Sequence, residues 1–229
     1  MRKAFTLIEL LVVIAIVGIL IAILVLAIGG ATGLSQSNVC KINQKQLIFA
    51  SVAYLNEHGH YVPAVSYVQE DGMTVMKAWD DEDMLWQYVD RRVEHMVCPE
   101  HIINTGSMSG YNYNTSFIGD EDYMFSDPVK GVAASDCKHP AHCALFGDCA
   151  KNKFMRCPED DPIYDPYTDD ATRCAGTQTY RHVGSTNVGW LDGHVSSTSV
   201  RHNPCNESTT QGFLSQDNSL YDPRILNIN

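Results

Sequence analysis

Basic residues are scarce in this chain of 229 residues, which has 16 Lys and Arg against 27 Asp and Glu and a net charge of −11. A surface with this charge repels nucleic acids and anionic membrane surfaces, so we expect no nucleic-acid partner. Common catalytic signatures are missing too: there is no Gly-x-Ser-x-Gly, no phosphate-binding glycine loop and no His-Glu-x-x-His. Nothing specific in the sequence supports catalysis, and we predict that the chain is not an enzyme.

Charge is absent from residues 10–28, a run about as long as a helix needs to cross a bilayer at 1.5 Å of rise per residue. Arg2 and Lys3 precede the run, and the next basic residue is Lys41, so the positive-inside rule puts the N-terminus in the cytoplasm and the rest outside. A cleaved secretory signal is the alternative, but no convincing small-x-small cleavage site follows the run. The sequence therefore predicts a single membrane-spanning segment and an extracytoplasmic body.

One acid, Glu9, stands near the start of the apolar run. A carboxylate inside a membrane helix costs on the order of 2 to 3 kcal/mol, so Glu9 is expected to have a partner or to lie near the interface. The surrounding sequence KAFTLIEL, at residues 3–10, resembles the N-termini of type IV pilins and type II secretion pseudopilins. The resemblance implies that a prepilin peptidase cuts between Ala4 and Phe5 and that the new N-terminus is methylated. It also implies that Glu9 then meets the amino terminus of a neighbouring subunit.

The apolar pattern and this resemblance divide the chain into four parts. They are a leader at residues 1–4, a membrane and assembly helix at 5–30, an amphipathic continuation of that helix at 31–56, and an extracytoplasmic body at 57–229. Apolar residues in the third part recur at helical spacing, and the chain then reaches Gly59, a residue typical of helix C-caps. The small residues at 29–33 predict a hinge between the two halves of the helix.

The body is predicted to be a small antiparallel sheet that covers the apolar face of the helix, which gives an α+β, pilin-like fold. Five short strands are expected, at residues 61–68, 73–78, 144–146, 187–191 and 194–199. Asp192 followed by Gly193 predicts a two-residue hairpin turn between the last two strands. A short helix is expected at residues 80–88. Polar segments at 104–127 and 159–179 are predicted to be long loops held by disulfides.

All eight cysteines follow the apolar run, and an even number of cysteines in an exported body indicates a disulfide framework. They are Cys40, Cys98, Cys137, Cys143, Cys149, Cys157, Cys174 and Cys205. Connectivity does not follow from sequence, but Cys40 on the helix and Cys98 after it form the first predicted bridge. Residues 137–143 contain two cysteines and two histidines and could ligate zinc. Their spacing matches no known finger, and the oxidising compartment favours disulfides.

Five aspartates crowd one loop of the body, at Asp160, Asp161, Asp165, Asp169 and Asp170. Calcium binds six to eight oxygen atoms, which such a loop could supply together with its carbonyls. Major pseudopilins, as a family, have a calcium site in a C-terminal loop. The spacing here lacks the glycine and the terminal glutamate of an EF-hand. A solvated acidic loop is the preferred interpretation, so no cofactor is predicted and calcium is the alternative.

A second resemblance involves both the helix and the body. His182 is followed after nine residues by Asp192 and Gly193, a His-x9-Asp-Gly pattern that resembles pilin-like proteins of planctomycete and verrucomicrobial type. The same group tends to carry a helix cysteine before Asn and Lys-Gln, as at Cys40, and a later Cys-Pro, as at Cys98. His182 and Asp192 could belong to a metal or ligand site at the hairpin. The preferred interpretation is a hydrogen bond from His182 across the hairpin, with Asp192 serving the turn.

Together these observations predict a structural subunit of a type IV pilus-like filament or of a type II secretion pseudopilus. Its expected partners are its own copies or other pilins, the prepilin peptidase, the assembly machinery and, before assembly, the bacterial inner membrane. The body is expected in the periplasm, and then in a surface filament or pseudopilus. The alternative is a membrane-anchored extracytoplasmic domain that binds a ligand or acts as an enzyme.

Overall fold

A computed structural model describes seven stretches of the chain, with the side chains of residues 26–30 excepted. The stretches are residues 6–89, 96–101, 109–119, 131–150, 152–158, 176–202 and 210–225. Within them, one long helix, α1 at Leu7–His58, precedes a body of short strands. The strands are β1 at Val65–Glu70, β2 at Met73–Ala78, β3 at Tyr111–Asn114, β4 at Ala144–Asp148, β5 at Phe154–Met155, β6 at Gln178–Thr179, β7 at Thr186–Trp190, β8 at Val195–Thr198 and β9 at Gln211–Gly212. Short 3-10 helices lie at Leu85–Tyr88, Ala134–Asp136, Pro140–His142 and Asn218–Leu220.

Helix α1 is 52 residues long, which corresponds to about 78 Å. It begins after the N-cap Thr6 and ends at Gly59, whose φ of +80° is the left-handed conformation of a helix C-cap. The backbone stays helical through residues 29–33, so the small residues there do not break the helix. The predicted single long helix is confirmed, and its two halves have different surroundings.

The first half of α1 has no cover from the body. Every large apolar side chain described in Leu7–Val25 is exposed by 47% or more, and this segment is long and apolar enough to cross a membrane. The second half lies on the body instead, with Leu47 and Ile48 buried. The α+β pilin-like fold class is therefore confirmed.

The main sheet has five strands in the order β5-β3-β4-β7-β8. Its neighbours pair antiparallel except β3 and β5, which are parallel, so the sheet is mixed where an antiparallel one was predicted. The second half of α1 contacts β7, β4 and β8. Strands β1 and β2 form a separate hairpin, and β6 pairs with β9. The first two predicted strands therefore pair with each other and lie outside the main sheet.

Strand β3 corrects the prediction of a loop at residues 104–127. Its sequence, Tyr-Asn-Tyr-Asn, lacks the aliphatic residues that mark a strand, yet all four residues are buried. Asn114 bonds to backbone groups: its Nδ2 donates to the Ala144 carbonyl at 2.7 Å and to the Tyr221 carbonyl at 2.8 Å. Hydrogen bonding of this kind lets a polar residue occupy a central strand.

Two other predicted elements differ in detail. The helix expected at residues 80–88 is only a 3-10 turn at Leu85–Tyr88. The chain does reverse at Asp192 and Gly193, but through a four-residue loop between β7 and β8. Of these two residues only Gly193 has a positive φ, +94°, whereas the predicted two-residue turn requires it at both.

An aromatic group forms the centre of the core between α1 and the sheet. Trp79, Tyr113 and Phe146 are fully buried, and their ring centroids lie 5.3 to 5.6 Å apart. Separations in this range are typical of tilted aromatic pairs, which add to the stability that burial provides. The core thus holds the β1–β2 hairpin, the sheet and the second half of α1 together.

Candidate functional site

The first candidate site is the N-terminal turn of α1. Glu9 Oε2 accepts hydrogen bonds from the Thr6 backbone N–H at 2.8 Å and from Thr6 Oγ1 at 2.7 Å. Thr6 Oγ1 accepts a bond from the Glu9 backbone N–H at 3.3 Å, which completes a capping box. Glu9 therefore has a hydrogen-bonding partner within its own chain. Ala4 and Phe5, the predicted cleavage site, lie outside the described residues.

A second candidate site is buried where α1 meets the body, and we call its four residues the buried cluster. Cys40 comes from α1, Cys98 from residues 96–101, Asp148 from the end of β4 and His182 from the turn between β6 and β7. Each of the four is at most 2% exposed. One sulfur, carboxylate oxygen or ring nitrogen from each lies within 4.8 Å of the others. The fold thus brings together groups that are far apart in sequence.

The distances within the buried cluster are short. The Cys40 and Cys98 sulfurs are 2.8 Å apart, and both residues are free cysteines. His182 Nε2 lies 3.6 Å from Cys98 Sγ and 3.4 Å from Asp148 Oδ2. The imidazole therefore lies between a sulfur and a carboxylate, and Cys98 lies between the imidazole and Cys40.

Polar groups around the buried cluster hold the Asp148 carboxylate in place. The backbone N–H of Asn187 donates to Oδ2 at 2.7 Å, and Gln44 Nε2 donates to Oδ1 at 3.2 Å. The Arg181 guanidinium lies 3.5 Å from Oδ1 and also donates to the carbonyl oxygens of Cys149 and Gly110. A fully buried carboxylate requires such partners, because an unpaired charge in the interior is costly.

A strained turn presents His182 to the cluster. His182 and Ser185 exchange backbone hydrogen bonds of 3.0 Å, and Val183 between them has a φ of +52°. A β-branched residue in the left-handed region costs on the order of 1 to 3 kcal/mol, and strain of this kind tends to persist at functional sites. The turn reaches α1 at Gly33, where an added Cβ would lie only 2.9 Å from Val183 Cγ2.

The charge states of the buried cluster depend on one another. Burial alone would lower the pKa of His182, but hydrogen bonds to Asp148 and Cys98 outweigh that effect and raise the pKa to about 10. The hydrogen bond from Cys40 lowers the pKa of the Cys98 thiol, and His182 and Arg181 lower it further. The same hydrogen bond, together with burial, raises the pKa of Cys40. Cys98 is thus the more acidic thiol of the pair.

The other half of the His-x9-Asp-Gly pattern lies elsewhere. Strand β7 separates Asp192 from His182, and Asp192 Oδ1 accepts from the His194 backbone N–H at 3.0 Å and contacts His194 Nδ1 at 2.6 Å. This arrangement agrees with a role for Asp192 in the turn. The side chain of His182, however, is directed towards Cys98 and Asp148. The predicted hydrogen bond from His182 across the Asp-Gly hairpin is therefore not present.

Four more of the predicted cysteines lie within the residues that the structure describes. Cys137 Sγ contacts the Ala133 carbonyl at 3.7 Å and Cys143 Sγ contacts the Tyr221 carbonyl at 3.1 Å, so each of these thiols has a backbone acceptor. Cys149 and Cys157 are buried in the body. Cys174, Cys205 and the five aspartates between 160 and 170 lie outside the described residues. Disulfide pairing among these cysteines, and calcium binding by the acidic loop, stay predictions.

Three members of the buried cluster belong to patterns that the sequence displays, but Asp148 does not. It is the last residue of the buried strand β4 and follows four uncharged residues, so a carboxylate at the end of a buried strand is the signal that could have identified it. Arg181, which accompanies it, precedes His182 in the sequence. Tertiary contacts bring Asp148 and Arg181 close to the helix, and local sequence patterns do not predict such contacts.

Comparison with known proteins gives one match, at the N-terminus. Residues 1–25 match the family model of the prokaryotic N-terminal methylation motif. No curated protein and no solved structure matches the chain. The match agrees with the resemblance of residues 3–10 and supports a pilin-like or pseudopilin-like protein that is processed as a prepilin.

Proposed function

We propose that this chain is a structural subunit of a type IV pilus-like filament or type II secretion pseudopilus, assembled through α1 after prepilin peptidase removes residues 1–4. The observation that carries the proposal is the contrast between the two halves of α1. The body covers the second half, while the apolar side chains of Leu7–Val25 have no cover. Such a surface needs a lipid environment before assembly and neighbouring helices afterwards.

The outer face of the second half supports helix-to-helix packing beyond the membrane segment. Val39, Ile42, Phe49 and Val52 are 37 to 60% exposed on the part of α1 that lies on the body. They recur at intervals of three, seven and three residues, which places them on one side of the helix. An apolar stripe on this side would let neighbouring subunits pack along most of the helix.

Glu9 would set the axial position of one subunit against the next. In the described chain its carboxylate is held by Thr6. Cleavage before Phe5 would create a positively charged amino group nearby. In a staggered arrangement of subunits, the amino group of a neighbouring subunit would also be within reach of Glu9. Opposite charges attract strongly where water is excluded, and each is costly there alone, so the pair would favour one offset between subunits.

Substitution of Glu9 tests this role. We expect Glu9→Ala and Glu9→Gln to leave expression and membrane insertion unchanged and to reduce recovery in sheared filaments roughly a hundredfold. That reduction corresponds to about 3 kcal/mol, the lower end of the cost of breaking a buried ion pair. Glu70→Gln, which removes an exposed carboxylate from the body, is the matched control and should assemble normally. Normal assembly of both Glu9 variants would refute the role.

Processing is tested on the wild-type chain by intact mass and N-terminal sequencing of filament and membrane fractions. A filament fraction that begins at methylated Phe5 supports processing and assembly together. A chain that begins at Met1 and is confined to membranes would favour a membrane-anchored extracytoplasmic domain. The membrane fraction, after protease treatment of cells whose outer membrane has been permeabilised, tests the proposed orientation, in which the N-terminus is cytoplasmic and the body periplasmic.

A further inference from the structure

We propose that Cys40, Cys98, Asp148 and His182 bind one zinc ion, which fastens α1 to the body. The inference rests on the geometry of the buried cluster and is independent of whether the chain forms filaments. Thiolate, imidazole and carboxylate are the protein ligands that zinc takes, and structural zinc sites use four of them in a tetrahedron. The buried cluster supplies four such groups from four separate parts of the fold.

Two of the three measured separations match a tetrahedral zinc site. Bond lengths of about 2.3 Å to sulfur and about 2.1 Å to nitrogen or oxygen give tetrahedral edges of about 3.6 Å for S···N and 3.4 Å for N···O. His182 Nε2 lies 3.6 Å from the Cys98 sulfur and 3.4 Å from the Asp148 carboxylate. Two of the edges that join these three ligand atoms therefore have the lengths that zinc requires, and all four ligand atoms lie within 4.8 Å of one another.

The two sulfurs need a common partner. At 2.8 Å, Cys40 Sγ and Cys98 Sγ are closer than atoms that are not bonded to each other normally approach, yet farther apart than the 2.05 Å of a disulfide. A zinc ion shared by both would separate them to about 3.8 Å. Cysteine has a single side-chain torsion, and a shift of about 1 Å would require a rotation of about 30° at one cysteine or a smaller rotation at each.

Charge distinguishes a zinc site from a disulfide here. Two thiolates and the Asp148 carboxylate carry three negative charges, which a zinc ion and the Arg181 guanidinium balance when His182 is neutral. A disulfide would use only the two sulfurs and would leave Asp148 paired with Arg181 and His182 beside it. Burial favours the arrangement in which the charges cancel.

The surroundings of the buried cluster also suit a metal site. Glu100 Oε1 lies 3.3 Å from His182 Nδ1, near the ring but without hydrogen-bond geometry, and Nε2 faces the other ligands. A carboxylate behind a histidine in this way is common around zinc, because it orients the ring and increases its basicity. Gln44 and the backbone of Asn187 hold the Asp148 carboxylate from outside. His182 and Asp148 are therefore held in place before any metal arrives, and only the sulfurs would have to move.

The mixed ligand set favours zinc over other divalent cations. Calcium and magnesium take oxygen ligands, whereas two sulfurs, one nitrogen and one oxygen in a tetrahedral arrangement suit zinc. Binding displaces protons from the thiols and the imidazole and gives a closed site without an open position for water. The expected role of the ion is therefore structural.

The experiment measures zinc and cysteine oxidation in the same sample of the full-length chain, purified in detergent without chelators or reductants. Elemental analysis should give about one zinc per chain, and mass spectrometry after alkylation under denaturing conditions should find Cys40 and Cys98 reduced. Cobalt substitution should give thiolate-to-cobalt charge-transfer bands. A zinc-free chain in which Cys40 and Cys98 form a disulfide would overturn the proposal and establish the bridge predicted from sequence.

Variants assign the zinc to the buried cluster. Cys98→Ser and His182→Ala should each reduce zinc content at least tenfold, whereas His182→Cys, which restores a zinc ligand, should recover it. His194→Ala is the matched control, because His194 is an exposed histidine of the same segment and its ring nitrogen contacts Asp192, outside the buried cluster. Zinc that survives both Cys98→Ser and His182→Ala would belong to another site and would overturn the assignment. If a variant does not fold, the zinc and thiol content of the wild-type chain decides.

Discussion

Replacing Gly189 by alanine should force α1 away from the sheet. A Cβ at this position in β7 would lie 2.9 Å from Ile48 Cδ1 and 3.4 Å from Ile48 Cγ1. Ile48 is only 1% exposed, so its side chain would have to move within the core and not into solvent. Inserting a methyl group into a well-packed core costs typically about 1 to 3 kcal/mol, and we expect Gly189→Ala to lower the free energy of unfolding by that amount.

A second substitution, on the helix side of the contact, should relieve this steric clash. Ile48→Val removes the Cδ1 methyl that an alanine at 189 would meet, and by itself should cost about 0.5 to 1.5 kcal/mol. In the double variant the methyl added to the sheet occupies space left by the methyl removed from the helix. The combined loss should therefore be at least about 1 kcal/mol smaller than the sum of the single losses.

Urea unfolding of the full-length chain in detergent, followed by tryptophan fluorescence, provides the four free energies of this cycle, since Trp79 is fully buried in the core. Gly18→Ala is the matched control, because an added Cβ there meets nothing within 4 Å. It should leave the unfolding of the body unchanged. If Gly189→Ala proves neutral, or the two changes prove additive, the close approach of helix and sheet at this point is not a determinant of stability.

Two further substitutions test polar and backbone features of the body by the same unfolding assay. Asn114→Ala should cost about 1 to 3 kcal/mol, because it removes one donor from each of the buried carbonyls of Ala144 and Tyr221, and a loss below about 0.5 kcal/mol would contradict this account of β3. Gly193→Ala should cost about 1 to 2 kcal/mol, since the φ of +94° at Gly193 disfavours residues with a Cβ. Gly193→Asn should lose less stability, and equal losses from the two substitutions would count against a backbone origin.

The elements that sequence predicts correctly are those with local signals. Helix α1 follows from an apolar run, helical spacing and the C-cap Gly59, all of which are short-range properties. Strands β7 and β8 follow from two short runs on either side of the turn signal Asp192-Gly193. Strand β3 escapes prediction because its stability comes from partners distant in sequence: Asn114 bonds to carbonyls on β4 and near the C-terminus. Strand propensity alone does not predict that distant hydrogen bonds will satisfy a buried asparagine.

The buried cluster shows the same limit at the level of the site. Cys40, Cys98 and His182 each belong to a recognisable sequence pattern, yet the patterns are separate, and the spacing of His182 predicts a role at the Asp-Gly hairpin. The structure pairs His182 with Cys98 and Asp148 instead. The motif thus includes His182 but predicts the wrong neighbour for its side chain. The spacing of residues along a chain does not determine in which direction a turn presents a side chain.

The polar side of α1 near the buried cluster bears on how the proposed filament would transmit force. Ser37 and Gln44 donate hydrogen bonds to the body on either side of Cys40, at 3.2 Å each. Apolar contacts tolerate small sliding, whereas hydrogen bonds and metal ligands require defined distances and angles. About 47 Å of helix separates Glu9 from Cys40, and the helix between them is uninterrupted. An axial offset set at Glu9 would therefore also fix the position of the body, because the cluster leaves it no freedom to slip along the helix.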